Sequence, residues 1–136
     1  MSAHRFPVRI YYEDTDFSGN VYHAAYLKFF ERARTEFLRD AGIHHSELAR
    51  DGIAFAVRSM NIDFVAPAHI DDMLTVLTEP LDASGARLTL RQTILREEVL
   101  LTKAELVVVS IKTSGGPARL PLAIRDLVRH STLTVC

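Results

Sequence analysis

The sequence predicts a single α+β domain over residues 1–136, with one long helix packed against an antiparallel sheet of five strands. Three observations carry this. The chain has 136 residues, the size of one domain, and at that length about two-thirds of the unfolded surface can be buried. The apolar period switches from two to about 3.6 near His23 and stays helical to Ala41. From Ser59 onward, short alternating runs are separated by turn signals, which favours antiparallel pairing.

The first strand is predicted over residues 6–12, where Phe6, Val8, Ile10 and Tyr12 alternate with Arg9 and Tyr11. A polar stretch from Glu13 to Asn20 follows, rich in turn formers. The helix comes next. Tyr26, Phe30, Ala33, Phe37 and Ala41 fall at i+3/i+4 steps, with Leu27, Phe29 and Leu38 widening the stripe and Lys28, Arg32, Glu36 and Arg39 outside it. Gly42 is the natural stop. At ~19 residues this rod is roughly 28 Å long, so the rest of the fold is expected to pack around it. A short amphipathic turn over residues 46–50 ends at Gly52.

The strands of the second half read as Ser59 to Phe64, ended by Pro67; residues 73–79, closed by a turn at Asp82-Ala83-Ser84-Gly85; and a run in which Leu88, Leu90 and Ile94 face one way and Arg87, Thr89, Arg91 and Thr93 the other. Glu97-Glu98 marks a tight connection to the most hydrophobic strand, residues 99–112, which is expected to be central. Ser114-Gly115-Gly116-Pro117 ends it, and Pro121 starts a terminal helix over residues 122–129. A sheet with open edges invites a second subunit, so a homo-oligomer is expected.

Composition narrows the function classes. Hydrophobic residues make up 48% and charged residues 24%, which excludes a disordered chain. The 16 basic and 17 acidic residues leave a net charge of −1, so there is no electrostatic case for nucleic acid or an anionic membrane. No apolar run approaches the roughly 18 residues of a membrane span, and the first seven residues do not read as a secretory signal. The one cysteine, Cys136, allows no internal disulfide, and a cytoplasmic setting is expected.

The usual catalytic signatures are absent. There is no Gly-x-Ser-x-Gly elbow, no phosphate loop and no dinucleotide glycine motif. None of the six histidines has His-x-x-x-His spacing, and no metal site is expected. Asp14-x-Asp16-x-Ser18-Gly19 opens like a calcium loop, but its twelfth position is Ala25 where a bidentate glutamate is needed.

The same loop has another use. It leads into a helix N-terminus, where unpaired N–H groups carry the positive end of the helix dipole and can stabilise an oxyanion. Asp16, on a loop doubling back over that terminus, can activate water or attack the same carbonyl. His23 can add a donor, Gly19 lets backbone approach the substrate, and Tyr22 can line a pocket. The bland readings stand beside these. An Asp before a helix is usually a cap or a turn former, and Arg87 and Arg91 read as a solvated strand face.

The stretch Tyr11-Tyr12-Glu13-Asp14-Thr15-Asp16-x-x-Gly19-x-Val21-Tyr22-His23-Ala24-x-Tyr26 resembles the signature of the hot-dog-fold acyl-CoA thioesterases in the 4-hydroxybenzoyl-CoA thioesterase-like branch, nearest to the Tol–Pal-associated subgroup. Phe30-Glu31-Arg32-Ala33-Arg34-Thr35-Glu36, Asp63-Phe64-x-x-Pro67-Ala68 and Asp71-Asp72 fit as well. The resemblance implies a sheet wrapped around the long helix and hydrolysis of an acyl-CoA thioester without metal or redox cofactor. It puts the catalytic carboxylate on Asp16, the branch's histidine on His23 and the oxyanion amides near Tyr22 and His23. It implies sites at a dimer interface, in a dimer or tetramer, with the CoA arm crossing the sheet near Arg58, Ser59 and Arg87. Acyl carrier protein is the other carrier to test. Two rival readings remain at this point: an enoyl-thioester hydratase using Asp16 with His23, and a non-catalytic acyl-CoA-binding scaffold.

Overall fold

The computed structural model describes residues 3–135, with side chains described as far as residue 128. Five strands, β1 (His4–Arg9), β2 (Ile53–Phe64), β3 (Met73–Ser84), β4 (Arg87–Arg96) and β5 (Val99–Lys112), form one sheet in the order β1-β3-β4-β5-β2. Every neighbouring pair is antiparallel. Helix α1 (His23–Asp40) lies between β1 and β2 in the chain, followed by the single turn and a half of α2 (His45–Arg50); α3 (Leu122–Val135) closes the chain.

The core forms because α1 presents aromatic residues to the alternating inner face of the sheet. Ala25, Tyr26, Phe29, Phe30, Ala33, Phe37 and Leu38 are its buried residues. Leu74 and Val76 of β3, Leu88, Leu90 and Ile94 of β4, and Leu101, Ala104 and Leu106 of β5 are buried with them. Leu27, expected on the apolar stripe, is 45% exposed, although it lies on the same side of the helix as the buried Leu38. Gln92 is the polar interruption of the β4 inner face and is fully buried. It is satisfied on both ends: its Nε2 donates to the Phe30 carbonyl at 3.1 Å and the Thr78 hydroxyl at 3.0 Å, and its Oε1 accepts from Arg34 at 3.0 Å.

Several boundaries move for physical reasons. β1 ends at Arg9 rather than Tyr12. Beyond it Ile10 pairs with residues 71 and 72 instead of β3, and Tyr12–Asp14 winds into one 3-10 turn. Pro7 is tolerated because β1 is an edge strand. β2 starts at Ile53, earlier than alternation suggests, because 53–57 is a continuous apolar run with no period of two. β3 runs past Pro80 to Ser84, with a register shift between Pro80 and Asp82 that absorbs the missing N–H. The Glu97-Glu98 turn holds both residues at positive φ, +51° and +68°, as a primed hairpin turn requires. The far edge of β2 has no partner strand among the described residues, and no helix among them is long and apolar enough to cross a membrane. Cys136 lies outside the described residues.

Candidate active site

The polar loop ahead of α1 folds back on itself. Thr15 and Val21 form an antiparallel bridge. Within it the Asp16 N–H donates to the Asn20 carbonyl at 2.8 Å, and the Gly19 N–H donates to the Asp16 carbonyl at 3.1 Å. Gly19 sits at φ +85° with nothing within 4 Å of where a Cβ would stand. Its glycine is therefore set by backbone conformation, not crowding, and the space above it is open. The two aspartates of the loop have different jobs. Asp14 is a cap: its carboxylate accepts the Tyr11 N–H at 2.9 Å, closing the 3-10 turn.

Asp16 is exposed. Its Oδ1 accepts the Ser18 hydroxyl at 2.5 Å and the Ser18 N–H at 2.8 Å. The Ser18 hydroxyl, with the Ser18 amide next in weight, holds the carboxyl below the ordinary aspartate value of 3.8, because both bonds favour the ionised form. The result is a carboxylate that stays charged into the acid range.

The bridge closes the loop just ahead of the start of α1. The Tyr22 N–H donates to the Asp14 carbonyl at 3.3 Å, the Ala25 N–H donates to the Tyr22 carbonyl at 3.0 Å, and no side chain caps the helix. Tyr22 is thereby removed from the expected set of free donors. The amides that helix geometry leaves without an acceptor are those of His23 and Ala24. His23, the first helical residue, is exposed, and its ring meets Phe64 edge-on at 6.4 Å. Phe64 also packs on Tyr26 at 5.5 Å, so the end of β2 fixes the His23 ring. Tyr22 is half-buried against the core cluster.

A second segment, residues 67–72, lies alongside. The Val21 N–H donates to the Ala68 carbonyl at 2.9 Å, the Ile70 N–H to the Gly19 carbonyl at 3.2 Å, and Asn20 bridges His69. Ala68 is anchored from the helix: its N–H donates to the Tyr26 hydroxyl at 3.1 Å. Burial raises the pKa of that phenol above its ordinary 10.0 against the opposing Ala68 bond, so it is neutral at physiological pH. The Tyr26 hydroxyl was legible in the sequence only as packing. Nothing in a single chain marks which loop its oxygen will meet.

The remaining candidates lie elsewhere in the protomer. Arg58 and Ser59 are exposed on β2, at a register shift between Val57 and Ser59. Arg58 is six residues from Phe64, roughly 20 Å along the strand. Arg87 is exposed at the start of β4, nine residues from Arg96, or roughly 30 Å. One bridged loop and the helix start that follows it therefore carry Asp16, Gly19, Tyr22 and His23, while Arg58, Ser59 and Arg87 lie away from that loop. A cavity of about 360 Å³ between α1, β2 and the inner face of the sheet is lined by Glu31, Arg34, Leu38, Phe55, Val57 and Leu90, among others. Asp16, Tyr22 and His23 do not line it. Partial burial lowers the pKa of Arg34, and the nearby Glu31 opposes this.

Comparison with known proteins gives concordant matches. The family model of the thioesterase-like superfamily matches residues 11–128. Acyl-CoA thioester hydrolase YbgC of Escherichia coli O157:H7 is 47% identical over 122 residues, covering 88% of this chain and 91% of that protein. Acyl-CoA thioesterase YbgC of Haemophilus influenzae is 40% identical over 127 residues, covering 92% and 93%. Among solved structures, the probable thioesterase from Bartonella henselae superposes with a TM-score of 0.84 at 46% identity, covering 88% of this chain and all of that one.

Proposed function

This chain belongs to the thioesterase-like superfamily, with the hot-dog architecture of an antiparallel sheet around one long helix, and from that premise we propose how it works. It is an acyl-CoA thioesterase, hydrolysing the thioester to free acid and CoA. What supports the mechanism is the bridged loop: it carries an ionised Asp16 and runs directly into the uncapped start of α1.

The thioester carbonyl oxygen points at the His23 and Ala24 amides, where negative charge develops as the carbonyl carbon becomes tetrahedral. Donors fixed there need no reorganisation, and one such donor is worth roughly 100- to 1,000-fold in rate. Asp16 acts on the same carbon, as general base for water or as nucleophile. In the first case it takes the water proton. In the second it forms a mixed anhydride that water then opens. Either way the CoA thiolate leaves and is protonated. His23, held edge-on by Phe64, completes the donor set.

In our reading the working unit is a homo-oligomer. Phe17 is fully exposed, and Val57, Phe64 and Val65 are about half exposed along the open β2 edge or just beyond it, an arrangement single chains ordinarily cover. Antiparallel pairing of that edge with a second copy carries one α1 start toward the Phe55–Val57 end of the other. Arg58, Ser59 and the cavity beside them then become contributions from across the interface. Arg87 stays a contact for the distal part of CoA. Acyl carrier protein is a second acyl carrier this surface can be tested with. A cytoplasmic setting fits the single cysteine.

The test is thiol release across short, long and aromatic acyl-CoAs, with acyl carrier protein as competitor. Turnover of at least one acyl-CoA is expected. Tight acyl-CoA binding without any thiol release, or hydration of an enoyl-CoA in its place, contradicts the proposal.

A further inference from the structure

The Asp16 loop has almost no core of its own. Phe17 at its tip is wholly exposed, and the loop's position depends on backbone bonds to residues 67–72. That second segment is irregular too, so something must hold it. On one side Ile10 does so, through bonds to Asp71 and Asp72. On the other stands a side chain that the proposed chemistry does not use. Arg96, the last residue of β4, reaches across with a single nitrogen. Its Nη1 donates to the Asp72 carboxylate at 2.9 Å and to the Pro67 carbonyl at 3.2 Å. The same Asp72 oxygen accepts the His69 N–H at 2.9 Å. Both ends of the segment are thus drawn to one point at the end of β4, while its middle, residues 68–70, grips residues 19–21.

We propose that Arg96, through its joint hold on Asp72 and Pro67, is a positioning residue for the reaction: it sets where residues 67–72 lie, and so where the Asp16 loop stands over the start of α1. This rests on the reading of Asp16 given above. The alternative is that the pair merely adds stability. Two observations argue against that. The side chains are 32% and 21% exposed, and partly hydrated ion pairs add little to folding. The segment they clamp also includes Asp71 at φ +71°, a conformation an aspartate holds only when its surroundings fix it. A displacement of about 1 Å in a catalytic constellation costs on the order of 100-fold in rate, so a contact that contributes little stability can control turnover.

The experiment measures kcat, KM and thermal stability of Arg96→Met, Arg96→Lys and Asp72→Asn, with Asp16→Asn alongside, on the acyl-CoA that wild type hydrolyses fastest. Arg96→Met should lower kcat by ~10- to 100-fold with KM within about twofold and little change in Tm. Arg96→Lys should recover most of the turnover, because one nitrogen makes both bonds. Asp72→Asn should fall between. Wild-type kcat in Arg96→Met, no recovery in Arg96→Lys, or losses of activity that only track unfolding in all three would overturn the positioning role. If Arg96→Met does not fold, Asp72→Asn decides by the same criteria. The two readings fail separately: an active Asp16→Asn enzyme removes the role of Asp16, whereas an inactive Asp16→Asn beside a fully active Arg96→Met removes only that of Arg96.

Discussion

Replacing Tyr26 with phenylalanine removes one oxygen and nothing else. The ring keeps its packing on Phe29 at 6.1 Å and on Phe64 at 5.5 Å. What is lost is the acceptor for the Ala68 N–H, in a pair where Ala68 is fully buried and Tyr26 is 3% exposed. A buried donor left unpaired costs about 1–3 kcal/mol, and the middle of that range is about 2 kcal/mol. An unfolding entropy of roughly 2.1 cal/mol/K per residue over a chain of this length makes that a fall of about 7 °C in Tm. Activity should fall as well. The Ala68 carbonyl receives the Val21 N–H, and Val21 closes the bridge behind Asp16. A kcat loss of ~10-fold is expected from a loosened loop. Calorimetry and thiol release read the two effects on the same preparation. A Tyr26→Phe enzyme melting within about 1 °C of wild type, with undiminished kcat, would refute the idea that this hydroxyl staples residues 67–72 to α1.

Two further outcomes follow from the site and the sheet edge. Ser18→Ala removes the largest of the bonds that depress the Asp16 pKa. A depressed pKa keeps the carboxylate ionised to lower pH, so the acid limb of wild-type kcat/KM should begin only below the ordinary aspartate value of 3.8, and Ser18→Ala should move that limb upward. An unmoved limb means that Asp16 is not the titrating group. The open β2 edge predicts that light scattering at micromolar concentration gives a multiple of the 15.3 kDa protomer; a clean monomer would contradict a site shared between copies.

How much of this the sequence disclosed depended on whether a feature is local. α1 was legible nearly to its ends because its period and the Gly42 stop are written in adjacent residues. The loop was legible as a chemical site because Asp16, Gly19 and His23 are close in sequence. Asp14 and Asp16 could not be told apart by residue type alone; only hydrogen bonding separates the cap from the carboxylate ionised by Ser18. The first half of β2 was missed because 53–57 has no alternation to read. Gln92 interrupts an otherwise apolar face, and its partners Phe30, Thr78 and Arg34 come from α1 and β3. The Arg96 clamp joins residues 24 and 29 positions apart, a separation that no local pattern encodes.

The central claim is that one ionised carboxylate acts on a thioester carbonyl held at the start of α1. The most direct test is Asp16→Asn, which keeps the side chain's shape and removes its charge, assayed by thiol release on the best acyl-CoA with folding checked by circular dichroism. A well-folded variant with kcat/KM reduced by at least ~100-fold is the predicted result. A folded Asp16→Asn protein hydrolysing that thioester at the wild-type rate would contradict the account.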